Sequence, residues 1–457
     1  MNKKLNINIF LSGIVFFFIT IVLSYSFLGI NIIDVEWVLG QSFVIVFFFS
    51  ATTLFYKYSI QLSSNTFIIS LLFISVVIKV LALLFSYYYF IEVFNFPLLG
   101  KSDAYQYHKY SKIIAESSLN IVAMTSYLPL SDQGAYFYFS SIYKIFGANI
   151  FIVGLVNVFF AIHSVFLFYK TIRVISKENV ARLSAIVFSF IPILNYYIGL
   201  HLKEIFFIWL IIYGTYLIII IFETKRRSII NLILLLIIGL SLFAFRTVVG
   251  LSFFASLAIY LLFSSKIQMS FFVKFISLII ILFSLVFFML TTGVSDESEM
   301  YYGIAERGTS YTEVNLGKTS VFKSFVGLPF QVFIMLTGPY PNLVDIKNDK
   351  HYGITRYALI SDCFIKSFLG FFFLIAIIRK RVLQNNIFIT SFLLIYMLIL
   401  AIGGFGLLYR MFLPILPFYI FISILGLQFF IKRRQFAFYV YIFIFVGIYL
   451  FFNYSKG

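Results

Sequence analysis

Within eleven residues, Gly100-Lys101-Ser102-Asp103-Ala104-Tyr105-Gln106-Tyr107-His108-Lys109-Tyr110 offers one carboxylate, one imidazole and three tyrosines. Ser102 or Asp103 can cap a helix whose Tyr107, Tyr110 and Ile114 share one face at spacings of three and four. Two readings are open. Asp103 serves as a general base or orients an acceptor, with Tyr107 and His108 around the substrate; or Asp103 is an N-cap and the aromatics form an interfacial belt.

His201-Leu202-Lys203-Glu204 stands directly before an unbroken apolar run. Charges at a membrane boundary cost free energy unless solvated, paired or used, roughly 2.5–3.5 kcal/mol each on the insertion scale when inside the bilayer. At helical spacing His201 and Glu204 share a face. The bland alternative is a snorkelling Lys203 beside a carboxylate that suits a helix N-terminus. Arg246 separates two apolar runs in Phe245-Arg246-Thr247, and Arg410 follows Gly403-Gly404-Phe405-Gly406 ahead of Pro414 and Pro417. A guanidinium fork fits phosphate oxygens better than an ammonium does, so both arginines are candidates for a lipid pyrophosphate. The alternative is pairing with a loop carboxylate such as Asp132 or Glu306.

A second polar stretch carries Tyr301, Tyr302, Glu306, Arg307, Tyr311, Lys318 and Lys323, then Thr337-Gly338-Pro339-Tyr340-Pro341-Asn342. Tyrosines mixed with acids and bases suit sugar recognition, by stacking on the ring and bonding to hydroxyls, and they equally suit a solvated loop; Arg307 and Tyr340 are the substrate-binding candidates here. Asp362 and Lys366, four apart, read as a structural pair. Lys79 and His163 fall inside apolar runs with no assigned role, and His351 has no partner at useful spacing.

The elements that hold these residues are apolar helices. The chain has 457 residues, 62% hydrophobic, 21% aromatic and only 11% charged, against about 25% charged in ordinary soluble domains. Mean hydropathy is +1.04. About 20 apolar residues span a bilayer, and roughly thirteen runs qualify, near 9–29, 38–56, 66–91, 148–169, 180–200, 203–222, 228–245, 248–264, 271–293, 355–378, 387–403, 411–431 and 436–452. An amphipathic segment covers 135–147, and 325–343 is too short and interrupted to be a clean span. The first run is too long for a signal-peptide core and has no small-residue cleavage site, so it reads as an uncleaved span. The whole chain, 1–457, is one transmembrane domain on this reading.

Charge placement orients it. If the N-terminus is cytoplasmic, loops on its side gather eighteen Lys and Arg, among them Lys225-Arg226-Arg227, Arg379-Lys380-Arg381 and Lys432-Arg433-Arg434, against only Glu178 and Glu223. The C-terminus then lies outside, as do two long loops, 92–147 and 294–354. The net charge of +17 is thus an orientation signal, and nucleic-acid binding loses its support. A lone cysteine, Cys363, excludes a disulfide framework and multi-cysteine metal sites. Walker A, HExxH and GxSxG motifs are absent, against an ATP-driven pump, a zincin and a serine esterase. No cofactor is implied, and no metal ligands are assigned.

The Ser-Asp-Ala-x-x-Tyr-His loop, then Ile142-Tyr143-Lys144-Ile145-Phe146-Gly147-Ala148-Asn149, resembles the first external loop of GT-C glycosyltransferases. Pro192 followed by Leu202-Lys203-Glu204, the isolated Arg246, and Tyr409-Arg410-x-x-x-Pro414-x-x-Pro417 continue the resemblance. Composition, length and span number are also similar to O-antigen polymerases of the Wzy type. The resemblance implies an all-α, GT-C-like fold in a bacterial inner membrane, with Asp103 as the catalytic carboxylate and Arg246 and Arg410 facing a lipid-linked pyrophosphate. His201, Lys203 and Glu204 would support them. It implies polymerisation of undecaprenyl-pyrophosphate-linked oligosaccharide repeat units at the periplasmic face, with a chain-length regulator protein and membrane lipid as partners. Two alternatives stand beside it: a GT-C transferase adding one sugar from a polyprenyl-phosphate donor, and a lipid-linked oligosaccharide flippase. A carrier should place ionisable groups near the midplane, whereas these candidates cluster at one boundary.

Overall fold

A computed structural model describes residues 7–28, 35–98, 103–117, 130–224, 228–264, 275, 279, 328–338, 353–402, 409–430 and 435–454. Among them every regular element is helical. In chain order these are α1 (Asn8–Leu28), α2 (Val35–Ser59), α3 (Ser64–Phe94), α4 (Asp103–Glu116), α5 (Leu130–Phe146), α6 (Ile150–Ile175), α7 (Glu178–Phe190), α8 (Pro192–Ile198) and α9 (Glu204–Phe222). They continue with α10 (Ile229–Phe245), α11 (Thr247–Phe263), α12 (Leu328–Thr337), α13 (Gly353–Ile377), α14 (Lys380–Asn385), α15 (Ile387–Ile402), α16 (Tyr409–Phe412), α17 (Leu416–Gln428) and α18 (Gln435–Tyr454).

Among the described residues six helices are long and apolar enough to cross a membrane, or seven if a bent pair counts as one span, and shorter apolar stretches lie in α1, α10, α11, α15 and α18. The protein is an all-α, multi-pass membrane protein. The run expected at 271–293 lies almost wholly outside the described residues, as does most of the loop 294–354. The run expected as one span over 180–200 is broken: α7 and α8 meet at 49°. Pro192, at the start of α8, has no N–H to continue the α7 ladder, and α7 closes on the bond from Ile191 N–H to Val187 O, 3.0 Å.

Helix α3 shows how the sequence divides lipid from protein. Ser63 caps it, accepting from Thr66 N–H at 3.2 Å. Phe67, Leu71, Ser75, Lys79, Leu83, Ser86 and Phe90 recur every three or four residues and are buried, while Ile69, Phe73, Leu81 and Phe85 point outward. Phe43 on α2, Ile229 on α10 and Phe443 on α18 are likewise apolar and exposed. A water-facing surface would not carry such a belt; lipid is the solvent that accepts it.

The centre of the bundle is α17, whose residues 416–427 are all buried, laid against α13. Gly426 permits the approach: a Cβ there would lie 1.8 Å from the Phe372 carbonyl oxygen. Small residues at crossings are how helices approach closely without a hydrophobic drive between them. Gly199 does the same beside Ser86, bringing the end of α8 against α3.

At one end of the bundle Arg182 donates to Ser59 O, to Leu62 O at 3.0 Å and to Glu178 Oε1 at 2.8 Å. Tyr169 and Arg173 also bind Glu178. Arg182 is one of the eighteen Lys and Arg that the sequence assigns to cytoplasmic loops, yet it is buried and ties the α2–α3 turn to α7. The other end holds the polar cluster described next.

Candidate functional site

Five segments of the chain supply the cluster: α4, α5, the start of α9, the α10–α11 junction and α16. Helix α4 buries Ala104, Tyr107, Ser111 and Ile114 against α5, which lifts Asp103 of its first turn to the rim. The expected face of Tyr107, Tyr110 and Ile114 holds for the first and third; Tyr110 is 46% exposed and Ser111 takes the buried place. Arg246 caps both α10 and α11 in extended backbone, with φ −168° and ψ 108°. Its peptide is needed at both helix ends: Arg246 N–H bonds Leu242 O at 2.9 Å, and Arg246 O accepts from Val249 N–H at 2.9 Å. Arg410 lies in the short α16; a 3-10 turn over Leu413–Ile415, containing Pro414, and Pro417 at the start of α17 follow it. The glycines at 403, 404 and 406 lie outside the described residues.

The arginines converge on Glu204. Arg410 Nε binds Glu204 Oε1, and Arg410 Nη1 binds Asp103 Oδ2. Arg246 Nη2 reaches the same Glu204 Oε1 at 3.6 Å. Beside them Lys203 Nζ binds Asp132 Oδ1 at 2.7 Å, and Tyr107 OH donates to that oxygen at 2.9 Å. Asp103, Asp132 and Glu204 thus balance Lys203, Arg246 and Arg410, three charges of each sign. Taking an ion out of water costs several kcal/mol. One guanidinium at 3.6 Å returns only about 4–5 kcal/mol at an effective dielectric near 20. The Glu204 side chain is 1% exposed, so it needs both arginines.

Exposure grades outward, from 1% at Glu204 and 10% at Arg246 to 24% at Arg410 and 57% at Asp103. Among the ion-paired groups of the cluster Glu204 Oε2 and Arg246 Nη1 have no hydrogen-bond partner, and neither does His201 Nδ1 beside them. A buried donor and a buried acceptor left open cost about 1–3 kcal/mol each. A phosphate oxygen could accept from Arg246 Nη1, and a sugar hydroxyl could donate to Glu204 Oε2.

His201 departs from its expected place. It adopts left-handed backbone, φ 53°, in the turn before α9, which begins only at Glu204. The helical spacing that would align His201 with Glu204 therefore does not apply. His201 stacks on Phe139 at 4.4 Å, and Tyr143 OH lies 3.2 Å from His201 Nε2 and 2.6 Å from His108 Nδ1. Burial, with the neighbouring His108 adding to it, pushes the His201 imidazole down to about 3, so it is neutral. His108 is lowered by burial and by Lys112. Burial opposes ionisation of Asp132, but Lys203 and Tyr107 outweigh it and hold the carboxyl below its usual range.

The cluster therefore brings together Asp103, Tyr107, Lys203, Glu204, Arg246 and Arg410, with His108 and His201 on the aromatic flank. Arg307 and Tyr340 lie outside the described residues. Asp132, read from sequence only as a possible arginine partner, instead holds Lys203. Its signal was position: the first turn of the amphipathic α5, with Tyr136 and Tyr143 four and eleven residues on, the face turned to α4. Among the described residues no three His, Cys, Asp or Glu side chains gather at metal-binding spacing. Asp362 and Lys366 do pair, at 3.7 Å, both buried in α13. Lys79 Nζ donates to Ser189 O at 3.0 Å, and Trp209 donates to His163 at 2.9 Å.

No family model matches the chain, and no curated protein or solved structure matches it.

Proposed function

We propose that the chain is a glycosyltransferase of the bacterial inner membrane that polymerises undecaprenyl-pyrophosphate-linked oligosaccharides into a surface polysaccharide. In this reading it has about thirteen spans in a GT-C-like arrangement, a cytoplasmic N-terminus and a periplasmic C-terminus. The observation that carries it is one cluster at one end of the bundle in which two guanidinium groups share a buried carboxylate while Arg246 Nη1 and Glu204 Oε2 stay open.

The chemistry is displacement at the anomeric carbon of the lipid-linked donor. The acceptor hydroxyl oxygen forms the new bond to that carbon as the bond to the pyrophosphate oxygen breaks. Asp103, the most exposed carboxylate of the cluster, takes the hydroxyl proton, an assistance worth about 10²–10⁴ in rate. Charge develops on the departing pyrophosphate, and Arg246 and Arg410 receive it; preorganised charge of this kind is usually the largest single contribution. Arg410 must exchange its bond to Asp103 for one to phosphate, which frees the carboxylate as the donor binds. Tyr107, His108 and His201 supply rings and hydroxyl partners for sugars.

The test is carrier-linked sugar in the native host. Asp103→Asn and Arg410→Ala, at normal protein levels, should leave single repeat units on the carrier and no longer chains. Unchanged chain-length distributions in both would refute the assignment. Single units from every variant and from the wild type alike would favour the one-sugar transferase. A second reading draws on a different observation: Lys79, Asp362 and Lys366 are ionisable groups buried inside membrane helices, as a flippase would have them. Its signature is carrier-linked units retained on the cytoplasmic face when Asp362→Asn is introduced.

A further inference from the structure

The end of the bundle away from Asp103 holds a cavity of about 460 Å³, between the C-terminal ends of α6 and α17 and the α14–α15 junction. That is within the range of small-ligand sites, ~300–1,000 Å³. Its wall is part apolar, from Leu425 and Phe429, and part amide, from Asn385, Asn386 and Gln428. Asn386 is 8% exposed. Its Nδ2 donates to Val382 O at 3.0 Å, and its Oδ1 has no hydrogen-bond partner. A buried acceptor left open beside a cavity awaits a donor.

The rim is cationic. Lys177 lines the cavity and is exposed. The neighbouring carboxylate, Glu178, is already engaged by Arg173 and Arg182, so it does not neutralise Lys177. Arg379 does not line the cavity, but its guanidinium stands 5.1 Å from the centre of the ring of Phe429, a wall residue, which places a second positive charge next to that wall. Two cations suit a phosphodiester; the amides suit hydroxyl groups attached to it; the apolar wall suits the ester region below. Basic pockets between helices at a membrane face are where anionic headgroups bind.

We infer that this cavity seats the headgroup of an anionic phospholipid bearing free hydroxyls, of the phosphatidylglycerol kind. Lys177 and Arg379 hold the phosphate, and a headgroup hydroxyl donates to Asn386 Oδ1. The inference stands apart from the sugar chemistry at the opposite end.

The test uses the full chain in phosphatidylcholine nanodiscs, titrated with phosphatidylglycerol, with retained lipid counted by native mass spectrometry and the thermal midpoint followed. The wild type should retain one phosphatidylglycerol and gain thermal stability. The surface variant Lys177→Glu/Arg379→Glu should lower that occupancy about tenfold or more. Asn386→Leu should keep binding of phosphatidic acid, which lacks the headgroup hydroxyls, and lose the preference for phosphatidylglycerol. Equal phosphatidylglycerol retention by the wild type and the charge-reversed variant would overturn the inference. So would stabilisation by inorganic phosphate or glycerol 3-phosphate with none from the lipid, since the site would then take a soluble phosphate.

Discussion

Replacing Glu204 by Gln separates a buried ionic centre from a set of surface pairs. The Glu204 side chain is 1% exposed and Oε1 serves two guanidinium groups, Arg246 at 3.6 Å and Arg410 in direct contact. Glutamine keeps the shape and removes the charge. Arg410 still has Asp103, but Arg246, itself 10% exposed, keeps no carboxylate among its described ion pairs. Removing one partner of a buried pair costs about 3–5 kcal/mol, because the other charge stays desolvated. Asp103→Asn breaks a pair whose carboxylate is 57% exposed, a change worth at most about 1 kcal/mol. Denaturant unfolding of the purified protein in detergent, followed by tryptophan fluorescence, should therefore rank Glu204→Gln far below Asp103→Asn, with the folded-to-unfolded ratio lowered roughly 100-fold or more. Adding Arg246→Met to Glu204→Gln should recover much of that loss, since the unpaired charge is then gone. Equal stability of the two single variants, or a double variant worse than the sum of its parts, would refute the buried-centre argument.

Three further outcomes follow from other contacts. Arg410→Lys keeps the charge but not the fork that spans Asp103 and Glu204, so polymer should shorten or vanish while expression holds, checked by gel ladders of surface polysaccharide. The His201 imidazole is held near 3, below its ordinary 6.5, so between those values the unfolded chain binds a proton that the folded chain refuses; stability should fall as pH drops from 6.5 toward 3 and be level above, and His201→Gln should flatten that slope in pH-dependent thermal melts. Gly426→Ala should cost at least about 3 kcal/mol or prevent folding, since the new methyl meets the Phe372 carbonyl at 1.8 Å; a monodisperse, wild-type-like elution profile would contradict the α13–α17 crossing.

The site's members could be read from sequence, but their pairing could not. Arg246, Arg410 and the Lys203-Glu204 pair stood out because each charge sits where an apolar run begins or ends, away from the basic clusters 225–227, 379–381 and 432–434. Nothing local says that Arg410 finds Glu204 across 206 positions or that Lys203 takes Asp132 across 71; those contacts are set by how helices cross. The spacing rule placed His201 with Glu204 because it assumed a helix through both, and a left-handed residue ended that assumption. Hydropathy marked the apolar runs without seeing that Pro192 divides one of them, because a proline break leaves composition unchanged. Arg182 looked like a loop charge for the same reason: a window of sequence carries no record of the carbonyls at Ser59 and Leu62 that bury it.

The most direct measurement is reconstitution of the purified chain with a synthetic polyprenyl-pyrophosphate oligosaccharide, its products resolved by mass. Masses should rise by whole repeat units with the wild type and stay at the input unit with Asp103→Asn or Arg246→Ala, and free polyprenyl pyrophosphate should be released once per linkage. A ladder that persists in both variants, or no elongation by a folded wild type under any donor and acceptor ratio, would contradict the proposed function.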